Sequence, residues 1–264
     1  MKKNLFFVVV ISVFTVFNVN AQFGKALKNV GKAVSNAAGT VAGDIALDMA
    51  VNTLSANIVV YLDKNNPVAA EDSPYTIRLD SIVGENFVNV DGLGLYYKVY
   101  ENPEINILTL PDGYIRVYSG LLDAFTNDEV LAVIATQIGH VASKDARGNL
   151  LKVTGKDQAG NAAAAQLEKL LSFSGEKLGT FVNELVQVPY TDEQNKVADK
   201  YAAALLKKNG KSTDALVSVL TKLGKMEATD AEALQAETAE TSSAYKLNRV
   251  SSNNSLRASL AKSY

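Results

Sequence analysis

The chain has 264 residues, a formal net charge of −2, a single histidine and no cysteine. Without cysteine, structural disulfides and a lipidated N-terminal cysteine are excluded, and a metal would have to be held largely by carboxylates, which do not favour a structural zinc site. No nucleic-acid partner is expected either, since binding one needs a basic face.

The first 21 residues have the layout of an export signal. Lys2 and Lys3 precede an apolar run from Leu5 to Phe17, and Val19-Asn20-Ala21 offers a small-residue cleavage site, predicting a mature start at Gln22. The apolar run is short for a bilayer span of about 20 residues. The expected location is therefore the periplasm or cell envelope, with no membrane span in the mature chain. Roughly 240 residues would remain, enough for one well-packed domain.

Residues 22–62 read as a helical lead-in. Ile45, Met49, Leu54 and Ile58 recur at helical spacing, and Gly24, Gly31, Gly39 and Gly43 weaken its first part. Lys64-Asn65-Asn66-Pro67 ends it, and Ser73-Pro74 predicts the cap and first turn of the next helix. From Phe87 to Val117 the pattern turns to β. Leu95–Tyr100, Ile105–Leu110 and Tyr114–Tyr118 are strand-like, Pro111-Asp112-Gly113 is a turn, and an antiparallel hairpin or meander is expected.

Thr126-Asn127-Asp128-Glu129 is a capping box. The helix it opens buries Val130, Val133, Ile134, Ile138 and Val141, with Gly148 as its expected stop. Residues 150–187 read as mostly helical, and further helices are expected over 192–209, ending at Gly210, and over 213–224. A polar tail follows from 226, its final residues expected to be loosely held. The sum is an α+β fold, mostly helical with a small antiparallel β-sheet, whose main domain spans 63–225.

Thr136-Gln137-Ile138-Gly139-His140 has the spacing of H-E-x-x-H, in which two histidines one turn apart hold zinc and the glutamate activates its water. A threonine hydroxyl is a poor zinc ligand and a glutamine amide cannot take a proton at neutral pH. By itself this is equally a buried helical histidine.

The order of segments makes the pattern specific. Asp63-Lys64-Asn65, Pro67-Val68-Ala69, Ser73-Pro74-Tyr75, Arg78-Leu79, Asp91-Gly92-Leu93 and Lys98-Val99-Tyr100 are followed by Asn106, Leu110-Pro111-Asp112-Gly113, the run Ile115 to Asp123, and Asp128-Glu129. In this order and spacing the chain resembles the zinc metallopeptidase family that includes the CAAX prenyl proteases and the heat-shock protease HtpX, in its soluble periplasmic LoiP-like branch. The resemblance runs from about residue 60 to 225.

It implies a zincin-like fold and a set of positions at which the chemistry has changed. The family's first histidine ligand falls on Thr136, its catalytic glutamate on Gln137 and its second histidine on His140. The third ligand, a glutamate four residues before the aspartate of an Ala-Asp pair, falls on Asn195, ahead of Ala198-Asp199. Asp199 corresponds to a residue that orients a ligand histidine, here with Thr136 or His140 as its expected hydrogen-bond partner. A later His-Pro pair before an arginine falls on Ser243-Ala244 ahead of Arg249.

The resemblance thus implies a degenerate site with no confident catalytic residue or metal ligand, and no bound zinc is expected. A weak site from His140, Asp199 and Asp145 or Glu193 is disfavoured, because Asp145, five positions beyond His140, would leave the same helical face. In the family the strand before the Pro-x-Gly turn borders the cleft. Here that strand, Asn106, Ile107, Leu108, Thr109 and Leu110, is either an ordinary edge or a peptide-binding one that pairs through its backbone. The expected function is an exported pseudopeptidase that binds peptides or envelope proteins. The alternatives are an active metal-dependent endopeptidase with a non-standard site, and a structural envelope protein.

Overall fold

The computed structural model describes residues 41–154, 169, 172–236 and 253–264. The proposed signal segment, residues 22–40, Ser243, Ala244 and Arg249 lie outside them. Helix α1 (Val41–Asn65) runs unbroken past 62 and ends at the expected polar segment. Its buried side is Ala50, Val51, Leu54, Ile58 and Leu62, whereas Ile45 and Met49, expected on that side, face solvent. Helix α2 (Pro74–Val83) is capped by Ser73, whose hydroxyl accepts from the Thr76 amide. A 3-10 turn (Glu85–Phe87) and a two-residue hairpin, β1 (Asn89–Val90) with β2 (Leu93–Gly94), lead into the main sheet.

That sheet has three strands, β3 (Tyr96–Tyr100), β4 (Ile107–Thr109) and β5 (Tyr114–Tyr118), in the order β3-β5-β4. The Pro111-Asp112-Gly113 turn closes an antiparallel β4–β5 hairpin as expected. The meander does not form, because β3 pairs with β5 in parallel, Tyr97 facing Ile115 and Val99 facing Val117. The segment from Glu101 to Asn106 is long enough to step past β5. That step leaves β5 in the centre and β4 at an edge.

Opposite faces of the sheet seed two cores. Val99, Ile107, Ile115 and Val117 join one cluster with the helices that follow the sheet. Tyr100, Leu108 and Leu110 join the other with α1. Arg116, only 3% exposed, crosses to α1 and donates through Nε and Nη2 to Asp63, which also accepts from Tyr100. Burial pushes the Asp63 carboxyl up, but these donors and Lys98 outweigh it and hold it below the usual range.

After a short α3 (Ser119–Ala124), α4 (Asn127–Ala142) begins with the expected capping box between Thr126 and Glu129. Burial raises the Glu129 pKa, yet Lys222, Ser218 and the Thr126 amide bring it down to about 2. Replacing Glu129 with Gln is expected to cost about 1–2 kcal/mol at pH 7, measured by urea unfolding, through loss of a charge-assisted cap and the Lys222 pair. A carboxylate with a depressed folded pKa stabilises above its unfolded value, and that contribution is lost as pH falls from about 4.5 towards 2. The difference between parent and variant should shrink over that window.

The α4 helix stops at Ser143 rather than Gly148. Lys144 adopts a left-handed backbone, φ 61°, and α5 (Asp145–Val153) starts at once. Helix α6 (Gly175–Leu185) precedes α7 (Asp192–Lys208), which has its own Thr191–Gln194 capping box and ends before Gly210. Helix α8 (Asp214–Ala236) extends well beyond 224. The last residues are not loosely held. Helix α9 (Asn254–Ala261) packs on α7 and α8, burying Asn254, Arg257, Ala258 and Ala261.

Candidate functional site

The site is built where α4 crosses α7. A side chain at Gly139 would place its Cβ 2.7 Å from the Ala198 carbonyl oxygen, so glycine permits the close approach. Substitution with alanine should gain about 1 kcal/mol in helix propensity but cost about 1–3 kcal/mol in overpacking against backbone. A net fall in the urea midpoint of Gly139→Ala is the expected result. The crossing brings Thr136, Gln137 and His140 of α4 together with Asn195 and Asp199 of α7. All five are 5% exposed or less.

Each is engaged by a neighbour. Gln137 Oε1 accepts from Thr109 Oγ1 at 3.0 Å, tying the helix to strand β4. Asn195 donates to the Tyr190 carbonyl at 3.4 Å. Thr136 Oγ1 donates to Asp199 Oδ1 at 3.2 Å, as expected from the sequence. Arg257 of α9 grips the same carboxylate with two bonds of 2.8 Å, from Nε to Oδ2 and from Nη2 to Oδ1, and its Nη1 donates to Asn254.

His140 Nδ1 lies 2.9 Å from Asp145 Oδ2. A continuous α4 would carry Asp145 off this face, but the break at Ser143 and Lys144 turns the chain back. The carboxylate fixes the proton on Nδ1, leaving the Nε2 lone pair outside this bond. The ring stacks on Tyr190 with centroids 3.6 Å apart. Of the other disfavoured ligands, Asp199 is occupied by Arg257, and Glu193 is exposed and paired with Lys196.

Arg257 and the stacked Tyr190 were not found by sequence reasoning. The only available signal for the arginine was indirect: an acidic residue on the buried stripe of α7 requires a counter-charge. The arginine assigned from the resemblance, Arg249, lies outside the described residues.

Thr136, Gln137, His140, Asn195 and Arg257 line a cavity of about 10 Å³, at the lower limit for one water. Zinc fits this set poorly. Tetrahedral sites use at least three Cys, His or carboxylate ligands. This cavity offers one imidazole nitrogen, neutral oxygens already bonded, and a guanidinium that would repel a cation. Among the described residues no three His, Cys, Asp or Glu side chains converge as a metal-ligand set.

Burial pushes the His140 pKa below its usual value, Arg257 adds to the fall, and Asp145 and Asp199 pull the other way. With the folded pKa depressed, the unfolded chain takes the proton more readily, so stability falls as pH drops through about 6.5 and levels off below the folded value. The loss should be at most about 1.4 kcal/mol per pH unit. Unfolding at pH 7.5 and 5.5 should show it in the parent and show it much reduced in His140→Gln.

Strand β4 is one of the two outer strands, and its bonds to β5 run through Asn106, Leu108 and Leu110, as in Leu110 N to Tyr114 O and Tyr118 N to Asn106 O. The backbone groups of Ile107 and Thr109 therefore point away from β5. The Ile107 amide is taken by Asn106 Oδ1. Beyond Pro111, at the end of the strand, lies a groove of about 420 Å³ bordered by Val51, Val90, Leu93, Val141 and Tyr201.

A mixed sheet backed by a capped helix with T-Q-I-G-H, crossed by a second helix with N-x-x-A-D, defines a metallopeptidase-type domain. The model of Peptidase family M48 matches residues 86–254, and the chain belongs to this family of zinc metallopeptidases. It is 34% identical to Metalloprotease LoiP of Escherichia coli (strain K12) over 180 residues, 68% of this chain and 71% of that protein. It is 31% identical to Metalloprotease YcaL of the same organism over 156 residues, 59% of this chain and 61% of that protein. No helix among the described residues is long and apolar enough to cross a membrane.

Proposed function

We propose that the protein is an exported, catalytically inactive member of its peptidase family that binds extended peptides or envelope proteins. The observation that carries this reading is the way the former catalytic positions are used. Gln137 is bonded to β4, Thr136 donates to Asp199, which Arg257 grips, and Asn195 is buried against the Tyr190 carbonyl. These contacts hold the helices and the strand together, and they leave no group able to serve as general base at Gln137, a role worth roughly 10²- to 10⁴-fold in rate.

What survives is backbone chemistry. A β-strand edge binds an extended segment through main-chain hydrogen bonds that need no particular side chains. The Ile107 carbonyl and the Thr109 amide and carbonyl, in a strand whose three residues are buried, point away from β5 and supply such groups, and the adjoining groove offers a mixed wall, Val51, Val90 and Leu93 beside Asp48, Asp91 and Arg147, for a side chain beyond Pro111. Export rests on the N-terminal pattern of Lys2, Lys3, Leu5–Phe17 and Val19-Asn20-Ala21.

The test is binding of a fluorescently labelled unfolded polypeptide, read by anisotropy beside an assay for its cleavage. Binding without cleavage is expected, unaffected by chelator. Thr109→Pro, which removes an outward amide without touching the β5 ladder, should abolish binding, while Thr109→Val controls for the lost Gln137 contact. Chelator-sensitive cleavage, or binding untouched by the proline, would contradict the proposal.

A further inference from the structure

The groove beyond Pro111 has a buried floor of Val51, Val90 and Val141, and four charged side chains, Asp48, Asp91, Lys144 and Arg147, stand around it. Three of the four are already engaged. Arg147 donates through Nε to Asp48 Oδ1 at 2.8 Å, and Asp91 accepts from the Tyr201 hydroxyl at 2.8 Å and from Lys208 at 3.2 Å. Lys144 is exposed and, among the described residues, pairs with no carboxylate. Its ammonium is the charge left over when the wall is neutralised pair by pair.

The backbone at Lys144 is unusual for a residue with a side chain. It joins α4 to α5 with φ 61° and ψ 20°, in the left-handed region. A Cβ is disfavoured there, and glycine or asparagine is what a helix end of this kind ordinarily takes. Nor do its main-chain bonds require lysine. The amide donates to the Val141 carbonyl and the carbonyl accepts from the Gly148 amide, and glycine would make both. A residue that keeps a side chain at a disfavoured conformation on the rim of a cleft points to use of that side chain.

We propose that the groove selects an acidic residue in the bound chain, with the Lys144 ammonium recognising its carboxylate. This rests on the peptide-binding reading above, since a chain paired along β4 runs past Pro111, where the end of the strand borders the groove. A glutamate or aspartate at that point supplies the missing counter-charge and lays its methylenes on the valine floor. A basic residue would have to displace Arg147 from Asp48 or Lys208 from Asp91, and an uncharged one would leave the ammonium in water. The low-dielectric floor strengthens the pair relative to one on an open surface.

The test is competition against the labelled unfolded polypeptide, read by anisotropy at low and high salt. The competitors are short peptides blocked at both ends and otherwise uncharged, carrying a single Glu, Gln or Lys that is stepped along the chain. At its best position Glu should compete about fivefold better than Gln, and Lys worse than Gln, with the differences shrinking as salt rises. Lys144→Gly should lose the distinction between Glu and Gln while melting at or above the parent's temperature, because the left-handed position favours glycine. Lys144→Glu should invert the order, with Lys competing best. Peptides that compete equally, or a Lys144→Gly variant that keeps the parent's preference, would overturn the proposal and leave peptide binding standing. A preference for Lys in the parent would overturn it too, assigning the groove to Asp48 and Asp91. If neither the labelled polypeptide nor any peptide binds, the peptide-binding reading falls and this proposal with it.

Discussion

Arg257→Ala is expected to destabilise the protein by about 3–5 kcal/mol, the cost of leaving a buried carboxylate without its partner. Asp199 is 1% exposed and its pair with Arg257 is made through two bonds in a site closed to bulk water. The remaining donor, the Thr136 hydroxyl, is neutral and cannot offset the charge. The double variant Arg257→Met/Asp199→Leu should recover most of the loss, because a buried ion pair contributes little net stability over an apolar pair of similar size. Urea unfolding of the single and double variants measures both. A loss under about 1 kcal/mol for the single variant would mean that α9 is not essential to this core.

The second large effect is a gain. Thr136→His, Gln137→Glu and Asn195→Glu together are expected to create a zinc site where α4 crosses α7. His140 is already oriented for this role, its Nδ1 held by Asp145 and its Nε2 left free of that bond. Position 136 lies one turn away on the same face, and Asn195 reaches the same cavity from α7. Without metal the new carboxylates would be buried and the variant less stable than the parent. With zinc at a hundred times its dissociation constant, stability should rise by about 2.7 kcal/mol. Thermal unfolding with and without zinc reads this directly, and no zinc-dependent shift would mean that the helices no longer hold the geometry of a metal site.

Much of this arrangement was legible from the chain because it rests on local chemistry. The capping box at Thr126, the Ser73-Pro74 start and the Pro111-Asp112-Gly113 turn each use short-range hydrogen bonds or fixed dihedrals that a few residues specify. What was not legible depends on contacts between distant segments. The parallel pairing of β3 with β5 is decided by where the chain can pass, not by either strand's pattern. The His140–Asp145 bond required the break at Lys144, a left-handed residue with no glycine to announce it. Arg257 is 58 positions from Asp199, and a polar tail gives no sign that one of its arginines will be buried. The exposure of Ile45 and Met49 is of the same kind, since periodicity shows that a helix has an apolar side but not what covers it.

In the proposed function, the metal chemistry of the family has been replaced by a bonded, closed set of side chains around His140. Metal analysis of the protein, purified without chelator and dialysed against metal-free buffer, tests it most directly. No stoichiometric zinc is expected. About one zinc per chain, retained through dialysis and lost in His140→Ala, would contradict it.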